Sequence, residues 1–165
     1  MKHFLLLLLL APLFSEAQNC QLKKFKDQFS QEPKVSTGFM RFSSTSLSID
    51  ADAKEIDFLF SVANNGDSKC FDDNSTITFV YEGGKLKSNF KNTGTMNCEG
   101  LVHITFRNLA TTPSNLQRLL TKKVQTISLK GSNESATTIT LSPEQQQLFM
   151  DMATCLVQEA KTLIK

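Results

Sequence analysis

Four cysteines, Cys20, Cys70, Cys98 and Cys155, are the residues of this chain whose number and placement best suit a covalent role. An even count in an exported chain reads as disulfides. Four cysteines allow three pairings, and a hairpin between Cys70 and Cys98 favours one of them. Thr76–Glu82 alternates Ile77, Phe79 and Tyr81 with Thr76, Thr78 and Val80, and Lys85–Lys91 returns beyond Gly83-Gly84. A Gly-Gly pair can take φ > 0 at both turn positions. A two-residue turn would pair Glu82 with Lys85 and Tyr81 with Leu86. Continued to the open end, that register sets Cys70 opposite Asn97, one residue from Cys98. The expected bridges are therefore Cys70–Cys98 and, by remainder, Cys20–Cys155. Loop entropy gives about 3.5 and 5 kcal/mol as upper values for the two. Zinc has little to recommend it, since the chain has neither a C-x-x-C pair nor a histidine cluster.

His103 is the second possible reactive group. It alternates with Val102 and Ile104 and should face away from their side of a strand. One histidine would serve a Ser–His–acid triad, but G-x-S-x-G is absent and no serine is marked as a nucleophile. The carboxylates gather in two places: Asp50, Asp52 and Glu55 near one turn, and Asp67, Asp72 and Asp73 near another. Neither group follows the D-x-[DN]-x-[DN]-G spacing of a calcium loop. Two carboxylates across a cleft would suit glycoside hydrolysis, but turn capping is the commoner use. Asp72 to Ser75 has the composition of a turn whose side chains satisfy backbone donors. Asn74-Ser75-Thr76 and Asn133-Glu134-Ser135 match N-x-[ST], which matters only in a eukaryotic secretory host. Lys85–Lys91 and Lys122-Lys123 are read as surface charge.

The elements that must position these residues follow a targeting segment. Met1-Lys2-His3 is a short positive region, Phe4–Phe14 an apolar run, and Ser15-Glu16-Ala17 a signal-peptidase pattern. A cut after Ala17 takes residues 1–17 as signal peptide and 18–165 as one domain. The apolar run is too short to span a bilayer comfortably, and Asn19 before Cys20 does not fit a lipoprotein site. The remaining length is typical of one domain with its own core. A formal net charge of +2 is too small a bias to imply nucleic acid. Thirteen Phe, one Tyr and no Trp make phenylalanine the aromatic core-former and argue against the usual carbohydrate platforms.

In chain order, Gln18–Lys34 carries Leu22, Phe25 and Phe29 at helical spacing and predicts a short helix ended by Pro33. Strands are expected over Gly38–Ser43, Ser46–Asp52, Glu55–Val62, the hairpin, Leu101–Arg107, Val124–Lys130 and Ser135–Leu141. Asn64–Asp67 and Gly131–Glu134 are turns. Thr111–Lys122 predicts a short helix capped by Thr112 or Ser114. The last segment is the strongest helix. Ser142 caps, Pro143 follows, Gln145 completes a capping box, and Phe149, Met152, Ala153, Leu156, Ala160, Leu163 and Ile164 form one stripe. The fold class is α+β: a mainly antiparallel sheet of about seven strands, able to fold over as a sandwich or half-barrel, packed by the C-terminal amphipathic helix.

The strand ITFVYEGG, the NCEG turn, the LQRLLTKKVQTISL unit and the closing helix resemble uncharacterised exported proteins of Bacteroidetes-type bacteria, as does the Ala17-Gln18 cut. The likeness covers roughly the C-terminal two thirds. It implies a secreted or periplasmic protein without glycosylation at Asn74 or Asn133, and it carries over no functional residue. The expected function is an exported, non-enzymatic binding or accessory domain without a cofactor. Its partner would be a protein or a small apolar ligand, not nucleic acid, and the domain has no integral membrane span. A carrier of an apolar molecule between the Phe-rich sheet and the last helix is the alternative, and an internal apolar cavity would favour it. A carboxylate hydrolase comes third and would need raised carboxyl pKa values on one cleft wall.

Overall fold

A computed structural model describes residues 20–63, 69–132 and 136–164. The expected signal peptide, the Asn64–Asp67 turn, the Asn133 sequon and half of the Gly131–Glu134 turn lie outside these residues. The described chain forms β1 (Lys23–Lys26), β2 (Pro33–Ser36), β3 (Met40–Phe42), β4 (Thr45–Ala51), β5 (Glu55–Val62), β6 (Thr76–Tyr81), β7 (Lys87–Lys91), β8 (Leu101–Arg107), α1 (Ser114–Thr121), β9 (Val124–Lys130), β10 (Ala136–Thr140) and α2 (Pro143–Lys161). The fold is α+β, with ten strands among the described residues, in two antiparallel sheets, and α2 packed against them.

Period-two patterning accounts for most of these strands. In β5, Ile56, Phe58, Phe60 and Val62 are all buried while the residues between them are not. The larger sheet runs β1-β2-β4-β5-β8, with β3 also on β4. Because β5 occupies one edge of β4 along its whole length, β2 and β3 share the other. They are two halves of one strand, offset where Gly38 takes φ +66°. The Thr37 hydroxyl accepts from Ile49 N–H across the offset, which keeps β4 satisfied there. The second sheet runs β10-β9-β6-β7.

The two inner faces meet through phenylalanines. Phe60 lies 6.2 Å from Phe79, and Phe90 lies 5.4 Å from Phe106 edge to face. Phe149 of α2 reaches Phe58 on one sheet and Phe79 on the other. Burying each such ring contributes roughly 1.5–3 kcal/mol, so the core is a chain of rings running from sheet to sheet through the helix. Asn108 fastens the far end of α2, its amide donating to the Asp52 and Ala160 carbonyls at 2.8 and 2.7 Å.

The structure corrects the expected N-terminal helix. Residues 23–36 form a β-hairpin instead. Phe29, one of three residues in the supposed stripe, is 97% exposed, and Phe25 is about half exposed. A helix with that stripe would have almost nothing to bury. Asp27 instead takes the N–H groups of Phe29 and Ser30 in a turn, and Pro33 opens β2 where it was expected to end a helix. The hairpin adds β1 and β2 to the expected strands. In α1 the cap is Pro113, without a side-chain hydrogen bond, so neither Thr112 nor Ser114 caps it. Ser142 caps α2 as expected, with the full Ser142–Gln145 capping box.

Candidate functional site

Both disulfides form with the expected partners, Cys20–Cys155 and Cys70–Cys98, with Cα atoms 5.8 and 3.9 Å apart. Among the described residues no cysteine is free. The hairpin register holds from Thr76–Lys91 to Val80–Lys87, and Tyr81 N–H still bonds Leu86. At the open end one extra residue enters the return strand. Asn92 still bonds Ser75, but Phe71 now pairs with Asn97, which sets Cys70 directly across from Cys98 instead of Asn97. The tip also differs from a two-residue turn. Gly84 N–H folds back to Tyr81, and Glu82 N–H crosses to Lys123, just before β9, so Glu82 and Lys85 do not pair.

The outer face of the larger sheet gathers the titratable groups. Ser36, Asp50, Asp57 and Thr105 stand in one cross-strand row, with His103 diagonal to Asp57. His103 Nδ1 lies 2.9 Å from Asp57 Oδ2, and the Thr105 hydroxyl donates to Asp57 Oδ1 at 3.1 Å. The hydrogen bond to Asp57 raises the His103 pKa above 6.5, outweighing partial burial. Asp50 and Asp57 are directly opposed like charges, and the surrounding donors offset this: Ser48 bonds Asp50, while His103 and Thr105 bond Asp57. Asp50, Asp57, His103 and Thr105, with Lys34, Asp52 and Glu55, line a shallow hollow of about 300 Å³.

The hydroxyls of this constellation are engaged within it, Ser48 on Asp50 and Thr105 on Asp57. Thr105 points to the carboxylate, and Thr93 pairs with Thr105, 2.8 Å between hydroxyls. Gly94 lies against the other edge of the imidazole, where an added Cβ would come 2.8 Å from His103 Cδ2. Three carboxyls elsewhere on the surface move down. The Ser30 N–H and the Lys34 ammonium hold Asp27 far below its usual range, the Ser75 hydroxyl lowers Asp72, and the Ser142 hydroxyl lowers Glu144. Among the described residues no three His, Cys, Asp or Glu side chains stand together in a way that would hold a metal ion. No helix among them is long and apolar enough to cross a membrane.

A larger cleft, about 570 Å³, opens at the hairpin tip. Tyr81, Leu86 and Met150 of α2 give it an apolar floor. Lys85, Lys122 and Lys123 stand around it with Glu82 and Thr121. Its shape follows from the backbone. Pairing between β6 and β9 slips by one residue after Val80, so Tyr81 meets Val124, and the Glu82–Lys123 bond draws the tip beside the end of α1. Burial raises the Tyr81 pKa, and its hydroxyl donates to Ser88 at 3.1 Å.

Of the groups singled out in the sequence, His103 faces outward as expected, and Asp50, Asp52 and Glu55 join it in one hollow. Asp72 is elsewhere, closing its own turn onto Asn74 and Ser75. Asp57 and Lys34 were not anticipated. Asp57 shares β5 with Glu55 and Lys34 is the one charge in β2, and only strand pairing brings them to the others. The cleft was missed because Lys122-Lys123 and Lys85 are distant in sequence. No known protein family, curated protein or solved structure matches the chain.

Proposed function

We propose that this is an exported, non-enzymatic binding domain of the kind the N-terminal segment and the Bacteroidetes-type resemblance suggest. Its binding place is the cleft at the hairpin tip. The observation that carries this reading is the cleft's composition: an apolar floor of Tyr81, Leu86 and Met150 with three lysines and one glutamate at its rim. Its size falls in the range of small-ligand sites, which combine an apolar lining with a few polar groups. Such a lining fits a small ligand with an apolar body and an anionic head. The two disulfides support a place in an oxidising compartment.

The interior gives the carrier reading less support. Phe58, Phe60, Phe79 and Phe149 are in ring contact where sheet and helix meet, which is where a carried molecule would have to lie. A ligand therefore docks in the open cleft and is not enclosed.

Octanoate, octylamine and octanol are the probes that test this by amide chemical shifts. Octanoate at millimolar concentration is expected to shift Glu82, Leu86, Lys123 and Met150, octanol less so and octylamine least. Lys122→Glu combined with Lys123→Glu should abolish the octanoate response. Equal responses to all three probes, or octanoate shifts confined to other surfaces, would overturn the assignment.

A further inference from the structure

We propose that β10 is a docking edge for a second copy of this chain, which joins two four-stranded sheets into one of eight strands. Leu141 N–H bonds Gln125 on β9, so the alternate residues before it, Ile139 and Thr137, also turn their backbone groups towards β9. The backbone donors and acceptors of Ala136, Thr138 and Thr140 then face the open side, and all three residues are exposed. Six main-chain groups thus lie along an edge beside which, among the described residues, no strand pairs.

The other edges are guarded, β3 by its length of three residues and the exposed Arg41, and the contrast identifies the occupant. β1 carries three exposed lysines in four residues. On β7, Asn92 N–H turns towards β6, which sends the backbone of Lys87, Asn89 and Lys91 outward. A two-fold pairing there would place Lys87 against Lys91. The free side of β8 is occupied at His103, whose carbonyl accepts from Thr93 and whose N–H donates to the Asn92 side chain. Charged side chains and coverage are the usual protections of a sheet edge. β10 reads Ala-Thr-Thr-Ile-Thr, with no charge and no proline.

That sequence is compatible with its own copy. An antiparallel pairing centred on Thr138 sets Thr138 opposite Thr138 and Ala136 opposite Thr140, with Thr137 opposite Ile139 on the inner side. The outward groups of both strands meet in this register and form six hydrogen bonds, and no like charges are opposed. A charged peptide would use the same backbone groups but find no opposite charge on β10 to pair with, whereas a second β10 makes all six bonds with matching uncharged side chains. The contact is short, so the association is a weak one that shows at high concentration.

Sedimentation equilibrium over a concentration series tests the proposal. The wild-type mass should rise from one chain towards two, and Thr138→Lys, which opposes two ammonium groups at the two-fold, should stay at one. Lys87→Thr, on the other edge, should leave the association unchanged. Amide exchange supplies a reading that needs no variant: Ala136, Thr138 and Thr140 should exchange more slowly at high concentration, and the β7 amides should not. A wild type that stays monomeric at millimolar concentration, a dimer that survives in folded Thr138→Lys, or protection that appears elsewhere would overturn it.

Discussion

Asp57 on β5 and His103 on β8 are diagonal neighbours on the outer sheet face, with Oδ2 and Nδ1 2.9 Å apart. The pair raises the imidazole pKa above 6.5 in the folded chain. Folding is therefore favoured by protonation, and the contribution is full below about 6.5 and is lost as pH rises through the folded value. An NMR titration of the His103 ring should place its midpoint above 6.5. In Asp57→Asn the midpoint should fall to 6.5 or lower, because partial burial then acts alone. A midpoint unmoved by Asp57→Asn would remove the carboxylate as the cause.

The disulfides should differ in weight. Cys20–Cys155 closes a separation of 135 residues and Cys70–Cys98 one of 28. Chain entropy then ranks the long loop higher, at about 5 against 3.5 kcal/mol as upper values. Cys20→Ser with Cys155→Ser should lower the urea midpoint more than Cys70→Ser with Cys98→Ser. The reverse order would mean that register at the hairpin base matters more than loop length.

The two helices start differently, and the same substitution should separate them. Ser142→Ala removes a side-chain cap and half of a capping box and should cost about 1 kcal/mol. Ser114→Ala touches no cap, because Pro113 stands at the N-cap of α1 without a side-chain hydrogen bond, and should change stability by less than about 0.5 kcal/mol. Equilibrium unfolding of both variants checks the contrast.

That contrast also marks what the sequence could convey. Local signals were legible wherever local chemistry decides: the Ser142 cap, the alternation of Ile56, Phe58 and Phe60, the paired glycines at φ +84° and +72°, and the hairpin register up to Tyr81–Leu86. The register at Cys70–Cys98 was one residue off, because the extra residue beyond Asn92 has no signature of its own. The N-terminal segment misled for a physical reason. Leu22, Phe25 and Phe29 have helical spacing, but the tie to α2 through Cys20–Cys155 and Lys24–Glu159 holds the segment as an edge hairpin with two of those residues in solvent. Asp57 with His103, and Lys122 with Lys85, are products of pairing between distant strands and could not be read from spacing.

Asn92 supplies the most exacting test of the closure between the sheets. It is 5% exposed and every polar atom of its side chain is engaged. Its Oδ1 accepts from His103 N–H at 2.9 Å and Gly94 N–H at 3.1 Å, and its Nδ2 donates to the Asp72 and Gly94 carbonyls. One amide thus joins the end of β7 to β8 in the other sheet and to the turn before β6. Asn92→Ala strands the His103 N–H and leaves the Asp72 carbonyl with only its 3.2 Å bond from Ser75 N–H, and a buried unpaired group costs about 1–3 kcal/mol. The loss should be about 1–3 kcal/mol, with faster exchange of the His103 amide. Asn92→Asp keeps the acceptor but turns a carboxylate oxygen on the Asp72 carbonyl, so it should be at least as damaging at neutral pH and partly relieved in acid, where the protonated group can donate. Asn89→Ala, three residues earlier and exposed, should stay within about 0.5 kcal/mol of wild type. If Asn92→Ala matched Asn89→Ala in urea unfolding, the sheets would be held by the phenylalanine contacts alone and the corner would carry no weight.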